Sequence, residues 1–199
     1  QAVGSLLFLS NKTRPDITYA VNFASRYLDK PSQNCVNLVK RIIKYIKGSV
    51  QSGILYTKRV EPQLDAVCDA DYANDKNTRR STSGFIIFFN GGPITWSSRK
   101  QEIVTLSTTE AEYVAAAHCV RELVYLKMFI QELVGKSVKA TLFVDNQGAL
   151  KLIDSGAVNN RTKHIDVRYR FILEKVKEHN ITLKYCPTAE QLADILTKP

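Results

Sequence analysis

At Glu61-Pro62 the spacing of apolar residues changes from helical to alternating, and this break dictates a chain of two unlike parts. Upstream, Ala2–Ser10 is apolar. "RPDITYAVNFASRYL" opens with Pro15 in a first-turn position and reads as a helix to about Leu28. "PSQNCVNLVKRIIKYIKG" reads as a third helix, capped by Ser32 and stopped by Gly48. Its apolar set Val36, Val39, Ile43 and Ile46 has helical spacing, while Lys40, Lys44 and Lys47 share another face. "SGILYTK" reads as a strand or connector that leads to the break.

Downstream, "QLDAVCD" alternates and reads as a strand ending at Asp69. After a polar loop, "GFIIFF", "ITWSS" and "EIVTL" read as strands in meander order, joined by "NGGP" and "RKQ". A long helix is expected over about 108–134, then a buried strand "KATLFVDN" and a short helix "QGALKLIDSG". The loop "NNRTKH", a helix over 165–179, the strand "ITLKYC" and a final helix "TAEQLADILTK" complete the chain. The expected order of the domain is β-β-β-α-β-α-α-β-α, one strand fewer before the long helix than the four segments just read. That is an α/β domain over 63–199, preceded by a helical segment over 1–62.

Charge follows the same division. Residues 1–62 hold ten Lys/Arg against three Asp/Glu, while residues 63–199 hold eighteen against sixteen. A basic segment joined to a near-neutral one points to a polyanion-gripping part beside a part that keeps its acids for another use. No apolar run approaches the ~18 residues of a membrane span, so no membrane partner is expected. There is no signal peptide at Gln1, and the start reads as a cut from a longer chain. Cys35, Cys68, Cys119 and Cys186 are scattered without C-x-x-C spacing, as in reduced thiols of an intracellular protein rather than a secreted one.

Three acids stand out. With Ser107 as helix N-cap, Glu110 falls at the third helical position, where a carboxylate bonds back to the cap's backbone N–H. Glu112 instead shares a face with Ala115, Ala116, Cys119, Leu123 and Leu126, whereas Glu110 lies on the opposite side, near Arg121. A carboxylate on a packing face is costly unless paired, hydrogen-bonded or bound to a cation. Asp69 and Asp145 each stand at the carboxyl end of an expected strand, where α/β sheets bind ligands. Either alone reads as a turn starter. If their strands are parallel neighbours, they converge with Glu112, and oxygen-only ligands suit two Mg²⁺ ions of the kind that hydrolyse phosphodiesters.

The motifs "VCDADYANDKNTRRSTSGF", "STTEAEYVAAA", "LFVDNQGAL", "RTKHIDVRYRF" and "PTAEQLADILTKP" resemble the ribonuclease H domain of copia-type LTR-retrotransposon polyproteins. "SLLFLSNKTRPDITYAVNFASRYL" and "VKRIIKYIKGS" resemble the thumb and connection of the same elements' reverse transcriptase. The resemblance covers essentially the whole chain. It implies a ribonuclease H-like mixed five-stranded sheet and two-metal hydrolysis of the RNA strand of an RNA/DNA hybrid. Asp69, Glu112, Asp145 and Asp194 would be the metal-binding carboxylates, with Mn²⁺ able to replace Mg²⁺. It also implies the polymerase portion of the polyprotein as partner, in the cytoplasm or a virus-like particle.

The expected nucleic-acid grip comprises Arg79, Arg80, Arg99 and Lys100, with Ser81, Thr82, Ser83, Asn146 and Gln147 as polar donors and Lys40, Lys44 and Lys47 on phosphates. Cellular and retroviral ribonucleases H usually carry a His in the loop before the last carboxylate, but "KYCPTAEQLAD" has none. His164 is the candidate to replace it or to contact a phosphate, with capping of the next helix as the plainer role. A non-catalytic nucleic-acid clamp that depends on the polymerase portion is the competing reading.

Overall fold

The computed structural model describes residues 1–57, 61–155 and 166–198, with only the backbone of 155 and 166–170. Helices α1 (Ala2–Lys12), α2 (Thr18–Ser25) and α3 (Gln33–Gly48) precede strand β1 (Gln63–Asp71). Then follow β2 (Thr82–Phe89), β3 (Gly92–Lys100), α4 (Thr108–Val134), β4 (Lys139–Val144), α5 (Gln147–Ser155), α6 (Asp166–Glu178) and β5 (Ile181–Tyr185). Two short 3₁₀ turns, Thr188–Glu190 and Leu192–Leu196, close the chain.

The strands form one sheet in the order β3-β2-β1-β4-β5. The β1–β2 and β2–β3 pairs are antiparallel, while β1–β4 and β4–β5 are parallel. This is the expected α/β, ribonuclease H-like mixed sheet of five strands. Among the described residues no helix is long and apolar enough to cross a membrane. All four cysteines are free thiols.

Helix α4 fixes one layer. Ser107 Oγ accepts the Glu110 N–H at its start, and Gly135 ends it in the left-handed region (φ 63°) with its N–H on the Gln131 carbonyl. Its buried stripe of Ala116, Cys119, Val120, Leu123 and Ile130 packs on Leu64, Ala66 and Cys68 of β1 and on Leu142 and Val144 of β4. At its first turns the side chains shrink. Ala111 and Ala115 meet Ala70, so the helix start lies close against β1.

The opposite face is covered by the Leu192–Leu196 turn. Ala193 and Leu196 pack on Val67 and Ile86, with Phe88, Trp96 and Phe143 around them. Helix α2 and the 3₁₀ turn Pro15–Ile17 also pack against this turn, and α2 packs on β3. Trp96 Nε1 donates to the Ser10 carbonyl at 2.8 Å, and Arg26 reaches Thr82 Oγ1. The helical segment has its own small core of Leu6, Ile17, Val21 and Ile42.

Three expectations are corrected. "EIVTL" forms no strand: β3 ends at Lys100, and Gln101 turns inward, donating to Ser83 Oγ and the Ala111 carbonyl. Polar bonds then replace a ladder, leaving Val104 and Leu106 exposed. "TAEQLADILTK" is not one helix, because buried Gln191 is extended between the two turns; its Nε2 donates to the Cys68 carbonyl and its Oε1 accepts from Ala193 N–H. Helix α3 buries Ile42, with Leu38, Val39 and Ile46 beside it, while Val36 and Ile43 face solvent. Spacing alone left these adjacent stripes unresolved, and the position of α2 selects between them. Of the two readings of "SGILYTK", strand or connector, residues 53–57 take the connector, whose Tyr56 hydroxyl donates to the Pro93 carbonyl.

Gly84 on β2, the register partner of Asp69, is where the turn meets the sheet. A Cβ there would lie 2.8 Å from Leu196 Cβ, 2.8 Å from Thr197 Cγ2 and 3.2 Å from the Ala193 carbonyl. Gly84→Ala must push the turn off the sheet, and overpacking of this kind costs about 1–3 kcal/mol. Urea unfolding should report that loss; unchanged stability would show that the close approach is not needed.

Candidate functional site

Asp69 lies inside β1 rather than at its end, because the strand continues to Asp71. Asp145 follows directly after β4. The parallel register pairs Cys68 with Val144, so the two aspartates leave the last paired rung side by side. Glu112 comes from the second turn of α4. Oxygen atoms of Asp69, Glu112 and Asp145 all lie within 4.8 Å of one another. Asp69 and Glu112 are buried, and Asp145 is half-buried.

Asp194 stands outside that trio, on the Leu192–Leu196 turn, and joins it through Lys198. The Lys198 ammonium is 3.0 Å from Asp194 Oδ1 and 3.7 Å from Asp69 Oδ2. Thr197 Oγ1 donates to Asp69 Oδ2 in a short hydrogen bond, and Thr188 Oγ1 donates to Asp145 Oδ2 at 3.4 Å. Glu112 Oε1 accepts the Ala70 N–H at 3.1 Å, whereas Glu112 Oε2 is buried without a hydrogen-bond partner among the described residues.

Electrostatics show what this arrangement costs. Burial, reinforced by the charges of Asp69 and Asp145, pushes the Glu112 carboxyl up to about 9. Burial also raises Asp69, against the opposing Thr197 hydroxyl and Lys198 ammonium, and raises Asp145 beside Asp194. Convergent carboxylates, one of them with a buried oxygen that has no partner among the described residues, fit a hard divalent cation, which would offset the repulsion.

Glu110 differs from expectation in its burial. It is buried rather than set on an outer face, and its carboxylate accepts the Leu106 N–H at 2.6 Å, one residue before the cap. It thus pins the 101–107 loop to the helix.

The expected nucleic-acid residues separate into groups. Ser81, Thr82 and Ser83 are buried. Ser81 Oγ accepts from Ala73 N–H and bonds Thr105, Thr82 Oγ1 donates to Asn74, and Ser83 Oγ accepts from Gln101. These hydroxyls hold the loop after β1 and the 101–107 loop, so they are corrected from ligand donors to internal ties. Asn146 Oδ1 accepts the Ala149 N–H and caps α5. Lys100 pairs with Asp75 at 3.0 Å and Arg99 with Glu102 at 2.8 Å. Arg79, Gln147, Lys40, Lys44 and Lys47 are exposed, and Arg80 is half-buried. His164 lies outside the described residues.

Sequence reasoning missed Thr197, Thr188 and Lys198. Lys198 carried a readable signal, since a Lys four residues after an Asp suits one helical turn. The hydroxyl contacts, across 43 and 128 residues of chain, carried none.

The chain is 40% identical, over 197 residues or 99% of its length, to the Retrovirus-related Pol polyprotein from transposon TNT 1-94 of Nicotiana tabacum. Over its whole length it is similar to plant copia-type retrotransposon Pol polyproteins. The chain spans 15% of that relative's length. No family model matches it. Among solved structures it is similar to the N-terminal ribonuclease H domain of a Mycobacterium tuberculosis protein (TM-score 0.51, 15% identity, 69% of this chain and 91% of that one). It is also similar to LC11-RNase H1 in complex with an RNA/DNA hybrid (TM-score 0.50, 19% identity, 67% of this chain and 93% of that one). The fold is therefore that of ribonuclease H, and this chain carries its acids in β1, in α4 and directly after β4.

The raised carboxyls have a pH consequence. A folded-state pKa above the unfolded value means that the folded protein keeps protons which the unfolded chain releases. Stability from Glu112 is then full below the ordinary carboxylate range and is lost as pH rises toward about 9. In chelator, Glu112→Gln, which can still accept from Ala70 N–H, should melt above wild type, by a margin that widens from about pH 5 to about pH 8. A margin that stays flat with pH, or reverses, would contradict this electrostatic account.

Proposed function

We propose that this chain hydrolyses the RNA strand of RNA/DNA hybrids, with Asp69, Glu112, Asp145 and Asp194 holding two divalent cations. The observation that carries the proposal is the convergence of Asp69, Glu112 and Asp145, together with the buried, unpartnered Glu112 Oε2. Mg²⁺ suits the all-oxygen donor set, and Mn²⁺ would replace it. Cations held there supply Lewis acidity toward a phosphate and a nucleophilic water at neutral pH.

The remaining work falls to the chain itself. Ala70 N–H orients Glu112 through Oε1 and leaves Oε2 without a partner among the described residues. Thr197 and Thr188 hold rotamers of Asp69 and Asp145 by donating to one oxygen of each. Ala70, Ala111 and Ala115 form a buried apolar contact beside Asp69 and Glu112. The similarity to LC11-RNase H1, which is solved in complex with an RNA/DNA hybrid, supports the substrate class.

Residues 1–62 are proposed to be the thumb and connection-like part of the polyprotein, and residues 63–199 its ribonuclease H domain. On this reading the protein acts inside the cell, in the cytoplasm or a virus-like particle, next to the polymerase portion of the same polyprotein. Arg79, Gln147 and His164 remain proposed substrate contacts.

Two experiments test the reading. A labelled RNA/DNA hybrid with Mg²⁺ should be cut, while single-stranded RNA and duplex DNA should not, and Asp145→Asn should abolish cleavage without lowering the melting temperature in chelator. Hybrid binding without cleavage by the wild type would instead establish the clamp, and a substantially active Asp145→Asn protein would remove Asp145 from the site. Separately, replacing exposed Lys40, Lys44 and Lys47 by Gln should weaken hybrid binding. The log–log salt slope should fall by roughly 0.9 for each phosphate that these side chains cease to neutralise. An unchanged slope would mark that face of α3 as plain solvated surface.

A further inference from the structure

Lys198 puts a positive charge where the proposed cations would bind. Its Nζ lies 3.0 Å from Asp194 Oδ1 and 3.7 Å from Asp69 Oδ2, bridging carboxylates from the 3₁₀ turn and from β1. The backbone is fixed, because Lys198 N–H donates to the Asp194 carbonyl at 3.0 Å and Thr197 N–H to the same atom at 3.1 Å. The side chain is 44% exposed, so it approaches the acids from the solvent edge and has space to withdraw. Asp71, at the end of β1, adds to the negative field around it. Asp69 is thus shared. Its Oδ2 meets Thr197 and Lys198, while its carboxylate also belongs to the trio with Glu112 and Asp145.

An ammonium group and a divalent cation want the same carboxylate oxygens, and at such separations their mutual repulsion is large. We propose that Lys198 is a tethered counter-ion that competes with divalent cations for the Asp69–Asp194 side of the site, so that a cation enters there only as the side chain swings out. This rests on the metal-dependent reading above and adds to it a residue that sets how much divalent cation the site requires. An exposed surface ion pair of ordinary kind would contribute little to stability and nothing to cation affinity.

The test is Mn²⁺ binding to the full chain, without nucleic acid, followed by the paramagnetic resonance of free Mn²⁺ in the wild type, Lys198→Met and Lys198→Arg. The Met variant should bind its weaker Mn²⁺ at least about threefold more tightly, and should melt below wild type in chelator because the acids lose their counter-ion. The Arg variant, which keeps the charge, should follow the wild-type isotherm. A Met variant that melts lower yet binds Mn²⁺ no more tightly would reduce Lys198 to a structural ion pair and overturn the proposal. So would an Arg variant that behaves like Met. A wild type that binds no Mn²⁺ would overturn the metal reading itself, together with this one.

Discussion

The parallel pairing of β1 with β4 is the constraint on which the rest of the molecule depends. It runs from Gln63 opposite Lys139 to Cys68 opposite Val144, and it places Asp69 and Asp145 at the same level on neighbouring strands. An antiparallel pair would set the two strand ends at opposite edges of the sheet. Because the strands are parallel, the chain between them must cross over one face, and α4 is part of that crossover. The helix buries its apolar stripe on the two strands that carry the aspartates, so its own acid is delivered to the same place.

Small residues set the depth of that delivery. Ala70, Ala111 and Ala115 let the start of α4 lie close enough to β1 for Glu112 to accept a backbone N–H from the strand. A larger side chain at any of these positions would hold the helix away. On the other face, Gly84 does the same for the Leu192–Leu196 turn, and buried Gln191 ties that turn to the Cys68 carbonyl. The acids are thus held from both sides of the sheet. The electrostatic cost of collecting them is offset in part by Thr197, Thr188 and Lys198, all supplied by the last turns of the chain.

The basic helical segment is tied into this arrangement rather than hung beside it. Trp96 reaches across to the Ser10 carbonyl, and α2 packs on the turn that carries Asp194. The exposed lysines of α3 therefore stand on a body whose other contacts support the acidic site. On the function proposed above, α3 and the acids would act on one substrate, in keeping with the uneven charge of the chain.

Much of this was legible in the residues. The caps at Ser32 and Ser107, the stop at Gly135, the alternation of "QLDAVCD" and the placement of Glu112 on a packing face all follow from local periodicity and local hydrogen bonding, which a linear sequence records. Tertiary structure alone decided which of two adjacent stripes of α3 is buried, that "EIVTL" gives up its strand to the inward bonds of Gln101, and that Gln191 divides the last helix. It also turned Ser81, Thr82 and Ser83 inward and buried Glu110. In each case a polar side chain found a partner far along the chain, or a neighbouring element covered one face and not another. Such choices depend on which surfaces meet, and spacing along a single element holds no record of that.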